Sequence, residues 1–129
     1  MENVYAKIKS FKDLIVWQQA HQLALEIYKA TRSFPQEELY GLTSQIRRSA
    51  VSVTSNLAEG FSRKSPKEKI QFYHLSLGSL TELDNQITLA KDLNYLTPTK
   101  FTNLLSLLIS VQKLLNRLIS STKERLSNP

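Results

Sequence analysis

The side chains able to do chemistry are few, and their spacing does not suit catalysis. The chain has two histidines, His21 and His74, and no cysteine. A helical bundle holds a dinuclear iron site when its facing helices carry Glu-x-x-His pairs. Here the residues three before the histidines are Gln18 and Gln71, so the carboxylate of each pair is missing. The lack of cysteine removes thiolate zinc sites, cysteine nucleophiles and disulfide frameworks together. It also accords with a reducing, cytoplasmic setting. Three scattered glycines cannot build a phosphate-cradling loop, and no Gly-x-Ser-x-Gly elbow occurs. Glu59 and Glu82 could in principle work as an acid–base pair, but no pattern around them marks a substrate pocket. The expectation is a protein that binds rather than catalyses, without cofactor or metal.

Positive charge is the more informative feature. Seventeen Lys and Arg stand against eleven Asp and Glu, a formal net charge of +6. Such a balance fits an anionic partner such as nucleic acid, and it also serves solubility. Arg63, Lys64, Lys67 and Lys69 crowd into one turn. Exposed turn residues can reach phosphates without desolvating a core, which makes this group the candidate nucleic-acid contact. The alternative is a simple solvated turn. The neighbouring Phe61, Phe72 and Tyr73 suit a core better than base stacking.

The elements that must position these residues are helices. Three glycines and four prolines are too few for a turn-rich β protein. Apolar residues at three- and four-residue spacing define four segments, about 13–33, 42–62, 66–95 and 98–125. Leu14, Trp17, Ala20, Ala24, Ile27 and Thr31 mark the first, with Asp13 as its expected N-cap. Leu42, Ile46, Ala50, Val53, Leu57 and Phe61 mark the second. Ser65-Pro66-Lys67-Glu68 reads as a capping box opening the third, whose stripe runs through Ile70, Tyr73, Leu77, Leu80, Ile87 and Ala90. Thr97-Pro98 opens the fourth, where Leu104, Leu108, Val111, Leu115 and Leu118 follow heptad spacing. Short connections favour antiparallel neighbours. The prediction is one all-α domain, an antiparallel up-down-up-down four-helix bundle over residues 13–126. Residues 1–12 and the last four are expected to be mobile.

The fourth helix carries further apolar residues at Leu105, Leu107, Ile109, Leu114 and Ile119. So wide an arc means either a central helix or a second face against another subunit, and the second reading is preferred. Leu104 to Ile119 holds ten apolar residues in sixteen, too short and too interrupted to span a membrane. The N-terminus lacks the apolar core of a signal peptide.

The second helix bears a narrow polar line, Gln45, Ser49, Ser52, Asn56 and Glu59, and the third a comparable one, Ser79, Glu82 and Gln86. Small side chains let helices approach closely, and polar ones can pair across the contact. Glu59 or Glu82 is expected to engage Arg47 or Arg48 between helices, because a buried carboxylate needs a partner.

Phe34-Pro35, Tyr40-Gly41-Leu42, Gln45-Ile46-Arg47-Arg48-Ser49-Ala50 and Asn56-Leu57-Ala58-Glu59-Gly60, with Ser79 and Glu82-Leu83, form a recognisable set. In these residues the chain resembles the four-helix bundle proteins encoded by intervening sequences of 23S ribosomal RNA genes. The accessory proteins of diversity-generating retroelements are similar in fold. The resemblance spans roughly residues 11–126. It implies a ring-shaped homo-oligomer, a pentamer, with a basic surface for RNA or DNA. In a retroelement context it also implies a reverse transcriptase partner. Gln45, Arg47, Arg48, Asn56, Glu59 and Glu82 then look like structural motif positions. Two functions stay open: a nucleic-acid-binding assembly, and an oligomeric protein-interaction scaffold that binds no nucleic acid. The first predicts salt-sensitive binding and the second a partner held through moderate salt.

Overall fold

The computed structural model of the protein describes residues 8–127. Four helices, α1 (Ile15–Thr31), α2 (Leu42–Ser62), α3 (Pro66–Asp92) and α4 (Pro98–Ser127), form an all-α bundle. Among the described residues there is no strand. Each helix lies beside its neighbour in the chain, and α1 also packs on α4, closing a four-cornered up-down bundle.

The helix starts follow local chemistry. Ser65 Oγ accepts from Glu68 N at 3.1 Å, and Pro66 occupies the first helical position, where no N–H is needed. Thr97 Oγ1 accepts from Lys100 N at 3.2 Å. The end of α3 turns through Asn94, whose φ of 65° lies in the left-handed region. That turn lets Tyr95 N donate to Ala90 O at 2.8 Å and closes the last carbonyls.

The start of α1 differs from expectation. Asp13 does not cap it; Leu14 precedes the helix with no side-chain cap. Asp13 instead belongs to a short 3-10 turn, Phe11–Asp13, entered through Ser10. Its Oδ2 accepts from Lys9 N and Ser10 N at 2.9 and 3.1 Å, while Ser10 Oγ accepts from Lys12 N at 3.1 Å. Gln18 Nε2 then donates to Lys12 O at 2.9 Å. Residues 9–12 of the segment expected to be mobile are thus tied through Asp13 and Gln18 to α1 by hydrogen bonds, and residues 1–7 lie outside the described residues.

The core takes Ala20, Ala24 and Ile27 from α1 as the spacing predicts, and adds Val16 and Leu23. From α2 come Leu42, Ile46, Ala50, Val53 and Leu57, and from α3 Tyr73, Leu80, Leu83, Ile87 and Ala90. On α4, Ile119 rather than Leu118 completes the buried line. Much of that helix's wide arc is used inside the bundle, since Leu107, Leu114 and Leu118 pack against the core. Leu105 and Ile109 remain toward solvent, half-buried and exposed.

The α2–α3 contact carries the polar line. Ser52 Oγ and Ser79 Oγ share a hydrogen bond of 2.8 Å, and Ser49 Oγ donates to Glu82 Oε2 at 3.3 Å. Buried Ser76 donates to Val53 O at 2.7 Å. At the lower end Gly60 meets the Tyr73 ring: a Cβ there would lie 2.6 Å from Cε1 and 3.1 Å from Phe72 Cβ. Tyr73 is fully buried and cannot swing away. Gly78, by contrast, faces open space. We therefore expect Gly60→Ala to cost about 1–3 kcal/mol through overpacking. Gly78→Ala should add about 0.5–1 kcal/mol by helix propensity. Urea unfolding of both variants checks the pair, and equal effects would contradict the contact.

Candidate nucleic-acid interface

The turn between α2 and α3 sits at one end of the bundle, beside the start of α1 and the end of α4. The four basic residues predicted to act together there have different roles. Lys69 Nζ donates to Phe61 O at 2.7 Å and lies 3.5 Å from Gly60 O. It also sits over the Phe61 ring, 5.2 Å from the centroid. The last carbonyls of a helix lack intrahelical donors and carry partial negative charge, so an ammonium there acts as a C-terminal cap. Burial, and secondarily the charge of Arg125, pull the Lys69 ammonium below its ordinary pKa. Lys69 is therefore a structural residue first.

Arg63 pairs with Glu59 Oε2 at 3.2 Å and covers the Phe72 ring at 4.7 Å. Both partners of the ion pair are well exposed, so it adds only a few tenths of a kcal/mol. Its larger effect is to neutralise Glu59, the carboxylate at the end of α2. Lys64 and Lys67 are exposed and have no partner among the described residues. Glu68, also exposed, is the opposing charge on this turn.

Arg125 joins this end from α4. It donates to Thr122 Oγ1 at 3.4 Å, and its charge is felt by both Lys69 and Tyr73. Burial raises the Tyr73 hydroxyl pKa, and Arg125 partly opposes the rise. Sequence reasoning missed Arg125 because only the antiparallel return of α4 brings it here.

The expected carboxylate–arginine network between helices does not form within the chain. Glu59 turns to Arg63 on its own helix, and Glu82 is exposed, accepting only from Ser49. Asn56 folds back on α2, donating to Ser52 O at 2.9 Å, and Gln45 is exposed. Neither carboxylate is buried, so neither carries the desolvation penalty that would demand a guanidinium. Arg47 faces α1 instead: Nε donates to Thr31 Oγ1 at 2.9 Å, and the guanidinium lies over the Tyr28 ring at 4.8 Å. Arg48 is exposed.

The histidines are placed without ligand geometry. His21 stacks on Trp17 at 4.7 Å and 14°, and His74 is exposed. Among the described residues no group of three potential metal ligands occurs, and no helix is long and apolar enough to cross a membrane.

If Lys69 is a cap, Lys69→Ala should lower stability by about 1 kcal/mol, the usual worth of such a bond. Lys64→Ala should stay within about 0.5 kcal/mol of the parent, as surface changes do. Chemical denaturation of both variants decides the matter, and an unchanged midpoint for Lys69→Ala would remove its structural role.

The fold has a solved counterpart in a protein of unknown function from the S23 ribosomal protein family of Bacteroides thetaiotaomicron VPI-5482. The two are 22% identical and superpose with a TM-score of 0.77, over 84% of this chain and 98% of that one. No curated protein matches the chain. The model of one family covers residues 12–117, from the 3-10 turn through most of α4. The chain belongs to the family of 23S rRNA-intervening sequence proteins.

Proposed function

We propose that this protein is a non-catalytic, oligomeric bundle that binds nucleic acid through the end formed by the α2–α3 turn. The observation that carries this reading is the pair Lys64 and Lys67, exposed and unpartnered beside a carboxylate already neutralised by Arg63. Arg125 adds a further cation from α4. Such charges meet phosphate oxygens at little desolvation cost, and binding releases condensed counterions. The family's description ties its members to intervening sequences of 23S rRNA, which supports RNA as the first ligand to test.

Self-association fits the outer side of α3. Leu75, Leu89 and Leu93 are exposed to 56%, 48% and 44%, and their spacing places them near one helical face. Leu89 and Leu93 lie one turn apart and offer apolar contact to a second copy, with Leu75 about 21 Å further along the same face. A ring of copies would repeat the basic ends and strengthen binding through multivalency.

The test is binding to structured RNA and duplex DNA across a salt series, with Lys64→Gln/Lys67→Gln alongside. Salt-steep binding is expected. The double variant should flatten the log–log salt slope by about two and weaken all sequences alike. Absence of binding by the parent at low salt would sink the proposal and favour the protein-interaction scaffold.

A further inference from the structure

A groove of about 630 Å³ runs along the outer side of the α1–α2 pair, away from the α2–α3 turn. Tyr28, Tyr40, Ser44, Arg47, Arg48 and Ser55 are among its lining residues, and no carboxylate lines it. Tyr40 is 94% exposed, an unusual position for a large aromatic ring. Arg47 is fixed in place: buried Thr31 accepts from its Nε and itself donates to Ile27 O at 2.8 Å. The guanidinium of Arg47 lies over the Tyr28 ring, and its terminal amino groups, like the whole guanidinium of Arg48, have no hydrogen-bond or ion-pair partner among the described residues. The nearby Glu38 is turned elsewhere, accepting from Tyr95 OH at 3.0 Å and standing 3.4 Å from Leu42 N.

From this arrangement we propose that the groove binds an unpaired nucleotide of a single strand. Arg47 and Arg48 hold its phosphate, and the Tyr40 ring stacks on its base. Guanidinium forks match phosphate oxygens in geometry and charge. Aromatic rings stack on any base, but only one that has left a duplex stack offers its face. The groove is shallow and open to solvent, so a base and its phosphate can enter from the side. A groove with two arginines and no carboxylate excludes cationic ligands by charge. The inference rests on the nucleic-acid reading above and specifies the form of nucleic acid recognised. Arg48 lies on α2 and Arg63 follows its last residue, roughly 22 Å away along the axis at 1.5 Å per residue. A short strand can therefore reach from the turn to the groove.

The experiment is fluorescence anisotropy with one labelled RNA oligonucleotide, as a single strand and as a duplex of the same sequence. It uses the full chain, Tyr40→Ala, Tyr40→Phe, Arg48→Gln and Lys64→Gln/Lys67→Gln, with sedimentation velocity on each. Tyr40→Ala should weaken single-strand binding about tenfold and leave duplex binding within about twofold. Tyr40→Phe should retain parent affinity, because the ring and not the hydroxyl does the stacking. Arg48→Gln should flatten the single-strand salt slope by about one. If Tyr40→Ala and Arg48→Gln match the parent while Lys64→Gln/Lys67→Gln weakens binding, the groove inference falls and the turn remains the site. If single-strand binding depends on Tyr40 and Arg48 but not on the lysines, the groove stands and the turn assignment falls. Loss of the parent's assembly size in Tyr40→Ala or Arg48→Gln would make the groove a contact between copies and overturn the inference. So would a parent that binds neither RNA form.

Discussion

The close approach of α2 and α3 is the constraint on which the rest of the molecule depends. Gly60 leaves room for the Tyr73 ring, and serines at 49, 52, 76 and 79 let the two backbones come near without voids. Larger residues would push the helices apart; alanines would fill the same space but leave Val53 O without the Ser76 donor. The Ser52–Ser79 and Ser76–Val53 bonds lie in or near the core, so each also fixes the register of one helix on the other. With that register set, Phe61 and Phe72 fall beside the turn, where they carry Lys69 and Arg63 above their rings.

The same register explains why the polar line did not become a buried ion network. Glu82 lies at the rim of the contact, near enough to accept from Ser49 yet still in water. A carboxylate in that position needs no arginine. Arg47 is consequently available to α1, where Thr31 and Tyr28 hold it. The opposite end of the bundle is closed by a different device. Tyr95 packs against Phe34 at 5.5 Å between ring centres and donates to Glu38, linking the α1–α2 and α3–α4 connections. The hydrogen bond to Glu38 is the first cause of the raised Tyr95 pKa, since a phenolate could not donate it.

Much of the fold was legible from spacing and caps. The four helices, their antiparallel order and the Ser65 and Thr97 starts depend on local patterns, and local patterns survive into the structure. Val16 and Leu23 escaped because each sits one position off a stripe chosen for its strictest spacing, while a core-facing arc is wider than one row; Leu83, three after Leu80 and four before Ile87, fits the α3 row and was left out of it. Asp13 was misread for a related reason: an aspartate before an apolar run caps whichever turn lies within reach, and a 3-10 turn lay closer than α1. The candidate site was legible as a cluster but not as a division of labour. Nothing in Arg63-Lys64-Ser65-Pro66-Lys67-Glu68-Lys69 says which cation faces the end of α2 and which faces water. That depends on how far the chain turns between two helices, and on Arg125 returning from α4.

Charge counted along a chain and charge offered to a partner are therefore different quantities. At the α2–α3 turn, Lys69 is used by helix carbonyls and Arg63 by Glu59, which leaves Lys64 and Lys67 to solvent. In the groove on the α1–α2 side the accounting runs the other way. Arg47 is hydrogen-bonded through Nε and rests on the Tyr28 ring, so its anchoring orients the terminal amino groups without using their hydrogen bonds. A lysine there would have one nitrogen to serve both purposes, and holding it against Thr31 would use up much of what it could offer a phosphate. Two adjacent arginines can thus present as much positive charge as the two lysines that four basic residues leave free in the turn. The net charge of +6 favours anions in general, but the residues free to bind one are set by which cations the fold itself has already engaged.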